Sequence, residues 1–167
     1  MGDLARAERE LATVAPEVGS SIQPDSPPAM MVLQVQAHID AARGRVTEAI
    51  ADVSKIVEFF DSRQMAVAGA VRALNLRGDL YLRAGNSDAA MVDAQRARDI
   101  SRSLQGDKPY SSYTGQALLR MARIDESRGD LSGARDLASQ AIPQLTETLG
   151  ATHPETLRAE QFAVQGH

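Results

Sequence analysis

Apolar residues recur along most of this chain three and four positions apart, the spacing of one face of an α-helix. Near the N-terminus the stripe is Leu4, Ala7, Leu11 and Val14, and its intervals return further on at fixed distances from glycine. Four glycines, Gly2, Gly44, Gly85 and Gly129, stand 42, 41 and 44 residues apart. Five residues after each lies an alanine: Ala7, Ala49, Ala90 and Ala134. Apolar residues follow at nine (Leu11, Val53, Ala94, Ala138) and at twelve (Val14, Ile56, Ala97, Ala141). The three glycines with sequence upstream share a leucine eleven before (Leu33, Leu74, Leu118) and a small residue seven before (Ala37, Gly78, Ala122). A register held over four copies marks an internal repeat.

Each copy reads as a helical hairpin. The glycine ends a first helix because it enters the left-handed conformation without a Cβ clash. Asp3, Asn86 or Asp130 then stands where a side chain accepts from the exposed N–H groups of the second helix. The alanine five residues on lets the second helix approach the small residue of the first. Longer connections, Gln23 to Pro28, Gly106 to Pro109 and Gly150 to Pro154, place a proline where a new helix opens. The link near Asp61 to Gln64 has neither Gly nor Pro. The predicted helices are 2–18, 27–43, 46–61, 65–84, 87–104, 111–128, 131–149 and 154–165. Strand-like runs of β-branched and aromatic residues are missing, so the chain is all-α.

The pattern Leu-x-x-x-Ala/Gly, then Gly, then Ala five residues on, resembles the tetratricopeptide repeat. The period near 42 is similar to the long variant of kinesin light chains and bacterial signalling proteins. The segment Leu149-Gly150-Ala151-Thr152-His153-Pro154 matches the Leu-Gly-x-x-His-Pro joint of that variant. The sequence departs from the family where Asp40 and Asp125 replace an aromatic residue that Tyr81 retains, and where Gln36 and Arg77 replace an apolar one. The resemblance implies a right-handed superhelical solenoid of antiparallel hairpins, about eight helices in one domain over 1–167. Its parts are the second helix of an incomplete repeat (2–26), full repeats over 27–63, 64–107 and 108–150, and a capping helix over 151–167. Helix 2–18 lacks the first helix that would cover its stripe. The chain is therefore expected to be the C-terminal part of a longer protein, or to join a second copy through that helix.

Composition narrows the chemistry. The chain has 167 residues, a formal charge of −4 and no Cys, which excludes a disulfide framework, a thiolate nucleophile and a thiol-bound metal. No apolar run reaches the roughly 18 residues of a membrane span, and the charged N-terminus is no secretory signal. An acidic chain is a poor partner for nucleic acid, whose affinity comes largely from phosphate neutralisation. Arg96, Arg98 and Arg102 are interleaved with Asp93 and Asp99, which reads as a solvated ion-pair face. His38, His153 and His167 share no metal-ligand spacing, and His153 is read as part of the turn before Pro154. Asp125 and Glu126 are adjacent on a helix and point about 100° apart, so they do not face one substrate atom. Phosphate-cradling and nucleophile-elbow motifs are absent, and neither enzyme nor cofactor is expected. Arg supplies 16 of the 18 basic side chains, a usage associated with bacterial genomes of high GC content. A cytoplasmic setting agrees with the lack of Cys.

What remains is a surface. In the tetratricopeptide family the first helices line a concave groove that binds peptides, and the resemblance carries that role onto three stripes here. They are Met31, Gln34, Val35, His38 and Ala41; Arg72, Asn75, Leu76, Asp79 and Arg83; and Gln116, Leu119, Arg120, Arg123 and Glu126. Members spaced i, i+3, i+4 and i+7 share a helix face. The polar contact residues expected are Gln34, His38, Arg72, Asn75, Asp79, Arg83, Gln116, Arg120 and Arg123. An asparagine can bond a peptide backbone on both sides, and a guanidinium can fork onto a carboxylate. The partner implied is a protein segment that is acidic or ends in a free carboxylate. The alternative is a self-associating or ligand-sensing segment working through its uncapped ends.

Overall fold

A computed structural model describes residues 25–164 together with Arg6, Arg9, Glu10 and Thr13. Seven helices are described: α1 (Pro27–Ala42), α2 (Val46–Ser62), α3 (Ala68–Arg83), α4 (Ser87–Gln105), α5 (Ser112–Ser127), α6 (Leu131–Leu149) and α7 (Pro154–Val164). The predicted helix 2–18, its apolar stripe and the association surface expected there lie outside the described residues but for those four. Among the described residues no strand occurs. Contacts gather the chain into two compact units, Met1–Met65 and Ala66–His167. The first holds the α1–α2 hairpin. In the second, α3 pairs with α4 and α5 with α6, α4 packs on α5, and α7 packs on α6.

Three turns share one backbone geometry. Gly44, Gly85 and Gly129 have φ of 79°, 77° and 82°, the left-handed region that L side chains disfavour. The residue after each glycine donates its N–H to the carbonyl five residues back: Arg45 to Asp40 at 2.8 Å, Asn86 to Tyr81 at 2.9 Å, and Asp130 to Asp125 at 2.9 Å. These are the long bonds of Schellman turns, which satisfy carbonyls the helix end would leave orphaned. The Gly-free link builds the same turn: Gln64 takes φ 53°, and Met65 N–H reaches the Phe60 carbonyl at 2.9 Å. That left-handed Gln64 is why α3 begins at Ala68, three residues after its predicted start.

Capping follows the sequence. Asn86 Oδ1 accepts from Ala89 N–H at 3.0 Å, and Asp130 Oδ1 from Gly133 N–H at 2.8 Å. His153 has the structural role expected of it: its Nδ1 accepts from Glu155 N–H at 3.3 Å where α7 opens.

The alanine register is the core. Ala37, Ala49, Ala90, Ala122 and Ala134 are all buried. A Cβ on Gly78 would come within 3.4 Å of the Ala90 carbonyl oxygen, so the small residue seven before the turn does permit close approach. Gly115 is more demanding, since a Cβ there would fall 2.7 Å from Leu145 Cγ. Larger side chains fill what remains: Leu118, Leu119 and Leu145 pack together near Ala159 of α7. Fully burying each such leucine contributes about 1.5–3 kcal/mol.

Gln36 and Arg77, where the repeat usually has an apolar residue, each serve a buried carboxylate. Gln36 Nε2 donates to both oxygens of Asp40 at 3.1 Å, and Arg45 Nε reaches the same carboxylate at 2.8 Å. Burial alone would raise the pKa of Asp40, but these hydrogen bonds and the charges of Arg45 and Arg43 hold it below the ordinary value. Arg77 forks onto Asp93 across the α3–α4 hairpin, with Nε and Nη2 each 2.7 Å from a carboxylate oxygen. Asp93 is only 2% exposed. This corrects the sequence reading, which put Asp93 on a solvated face; Asp99, which pairs with Arg98, does stay at the surface.

Candidate functional site

The predicted contact residues fall in both units. Gln34 and His38 lie on α1 in the first, Gln34 half-buried and His38 exposed, with Met31 and Val35 exposed on the same stripe. The other seven lie on α3 and α5 in the second unit, where those two helices touch. Arg72 and Arg83 of α3 are at least partly exposed. Asn75 is not a surface residue; it is 6% exposed.

Spacing along α3 and α5 brings Asp79 between two guanidinium groups. Its carboxylate oxygens lie 3.5 Å from Arg120 Nε and 3.6 Å from Arg123 Nη1. Both separations exceed the 2.7–2.9 Å usual for a charge-assisted hydrogen bond. Arg120 Nη1 donates to the Gln116 carbonyl at 3.4 Å, while its buried Nε has no hydrogen-bond partner. The Oδ1 of Asn75 is likewise buried and unpartnered. Asn75, Asp79 and Arg120 border one small cavity of about 10 Å³, closed by Gly78, Ala90 and Ile124. The cluster therefore offers two cations, one anion, one unused donor and one unused acceptor.

Gln116 is committed elsewhere. Its Nε2 donates to Glu155 Oε2 at 2.7 Å, tying α5 to α7. Sequence reasoning missed Glu155, because residues 39 positions apart show no shared spacing. A larger cleft of about 600 Å³ lies in the first unit beside Met30, Leu33 and Phe59. It includes none of the predicted contact residues, and Asp25, Lys55, Glu58 and Arg63 line it beside the apolar side chains.

The remaining candidates are structural in kind. Burial, and then the charge of Asp130, push the pKa of Asp125 up, with Arg128 partly opposing. Glu126 beside it is exposed. Among the described residues no group of three His, Asp or Glu is placed to hold a metal ion, and no helix is long and apolar enough to cross a membrane.

No family model and no curated protein matches the chain. Solved structures do. A Podosopora anserina protein described as a putative kinesin light chain with nearly identical TPR-like repeats superposes with a TM-score of 0.75 at 18% identity, over 97% of this chain and 76% of that one. A single-substitution form of that protein gives 0.76 at the same identity and coverage. BtubC (BKLC) from P. vanneervenii gives 0.80 at 13% identity, over 97% of this chain and 64% of that one. The chain has the TPR-like fold. At such identities the likeness carries architecture alone.

Proposed function

We propose that this TPR-like chain is a non-enzymatic interaction module that binds an acidic protein segment on the α3–α5 face. The observation that carries the reading is the pair Arg120 and Arg123, held side by side and only loosely neutralised by Asp79. Two guanidinium groups on one packed helix, α5, start close together before a partner arrives, so less ordering remains to be done on binding. Their planar forks suit a carboxylate, whether a side chain or a chain terminus. Arg72 and Arg83 are proposed as flanking cations on α3, while Gln34 and His38 are proposed as contact residues of the first unit taken by itself. The Arg-rich composition and the long repeat period support a place within a bacterial signalling protein.

The test is an array of immobilised peptides of graded charge, with free and amidated C-termini, probed with the full chain. Acidic spots should retain it, and Arg120→Gln/Arg123→Gln should lose them with unchanged helical circular dichroism. Equal retention on acidic, neutral and basic spots, or retention indifferent to the double substitution, would sink the reading.

A further inference from the structure

The second unit contains two arginine–aspartate arrangements of contrasting quality. Arg77 and Asp93 are matched fork to fork at 2.7 Å, with side-chain exposures of 14% and 2%. Asp79 sits between Arg120 and Arg123 at 3.5 and 3.6 Å, with 35% of its own side chain exposed. An aspartate serving only to fix one arginine would be expected to close on it as Asp93 does. Asp79 instead divides one negative charge between two cations and leaves Arg120 Nε without a hydrogen bond. The cavity beside it, about 10 Å³, has room for roughly one water-sized atom. Asn75 and Arg120 both line it, and Asn75 Oδ1 and Arg120 Nε are buried without a hydrogen-bond partner among the protein atoms.

Resting on the reading of α3–α5 as the contact face, we propose that Asp79 is a built-in stand-in for the partner's carboxylate. It keeps Arg120 and Arg123 from repelling each other while the face is empty, and gives way when an acidic side chain arrives. The loose geometry makes the exchange feasible, because a partly exposed ion pair at these separations is weak and solvent can take over the displaced carboxylate. An incoming carboxylate takes the place that Asp79 leaves beside the buried Arg120 Nε and there accepts from it. The orphaned Asn75 Oδ1 accepts from a water in the small cavity or from an N–H next to that carboxylate. Asp79 thereby sets selectivity. A neutral segment gains nothing by displacing it, and an acidic one replaces a loose neutralisation with a better one.

This predicts a gain of binding on removing a charge, opposite in sign to what a positioning role for Asp79 would give. The probe is fluorescein-labelled hexaglutamate, with hexalysine as control, read by fluorescence polarisation on the full chain at low salt. Asp79→Asn should tighten hexaglutamate about three- to tenfold, and the gain should shrink as salt screens the charges. The gain should vanish in Asp79→Asn/Arg120→Gln/Arg123→Gln, with thermal melts confirming that each variant folds. If Asp79→Asn binds equally or more weakly while Arg120→Gln/Arg123→Gln loses the probe, the stand-in role is wrong and the contact face survives. If the double substitution leaves binding unchanged, or wild type fails to bind, the face itself is wrong and the proposal falls with it.

Discussion

In the hairpin of α1 and α2, the residue four before the turn glycine is Asp40 and the residue after it is Arg45. In the hairpin of α5 and α6 the same two places hold Asp125 and Asp130. The backbone bond between those places is 2.8 Å in one turn and 2.9 Å in the other. One geometry therefore presses an opposite-charge pair together in the first hairpin and a like-charge pair in the third. Asp40 is held below its ordinary pKa and Asp125 is pushed above it. Schellman turns often bring two apolar side chains together at these places, and the link after α2 does put Phe60 and Met65 there. The hairpin of α3 and α4 has Tyr81 and Asn86, with the Arg77 guanidinium 5.8 Å from the Tyr81 ring centre. Turn geometry is thus the constant of the repeat, and the chemistry it carries is free to vary.

If that is right, the largest effect should come where a hairpin relies on a buried charge pair. Arg77→Ala strands Asp93, 2% exposed, without its partner, and breaking such a pair costs about 3–5 kcal/mol. Denaturant unfolding should show that loss, and Arg77→Ala/Asp93→Ala should recover part of it. A loss below about 1 kcal/mol, the scale of a surface pair, would mean that the pair is not a core feature.

Next in size is the shared geometry itself. Gly129→Val puts a β-branched residue at φ 82°. A Cβ there meets no atom within 4 Å, so the penalty is chiefly conformational, about 1–2 kcal/mol for an L-residue in this region. Thermal melting should fall accordingly. An unchanged melt would mean that the turn can be rebuilt, and that Asp125 and Asp130 are not held together by it.

These positions also show where sequence reading reaches its limit. The turn glycines, the caps at Asn86 and Asp130 and the close alanines were legible because each depends on neighbours within one hairpin turn. Asp93 was misplaced because its partner lies 16 residues away on another helix, and spacing along α4 says only that it neighbours arginines. Gln64 takes a glycine's conformation, which residue type alone argues against. At the candidate site the stripes put Asp79 on α3 and Arg120 and Arg123 on α5. They did not reveal that Asp79 would stand between the arginines, or that Asn75 would be turned into the interior beside Gly78 and Ala90. Those outcomes depend on how α3 packs against both α4 and α5, which spacing along a single helix does not give.

The smallest effect, and the most direct test of the comparison, is pH dependence at the two turns. Asp40 has a lowered folded-state pKa, so the stability it contributes is present above the ordinary value of 3.8 and is lost as pH falls through the folded one. Asp125 runs the other way. Its raised folded-state pKa means that the folded chain holds the proton more tightly than the unfolded chain does. The penalty at neutral pH is relieved as pH falls through the raised value, and relief is complete below 3.8. Asp130→Asn removes the like charge yet keeps the cap, as Asn86 does in the preceding repeat. It should stabilise the chain at neutral pH by about 0.2–0.5 kcal/mol, the scale of a like-charge pair on a helix, and less below about pH 4, where carboxylates take up protons. Carboxyl-carbon titration by NMR should show the Asp125 pKa falling and the Asp40 pKa unmoved. Burial, the first cause of the Asp125 shift, should still hold it above the ordinary value. If Asp125 did not respond to Asp130→Asn, the turn would not be what couples these two places, and the contrast with Asp40 would be one of burial alone.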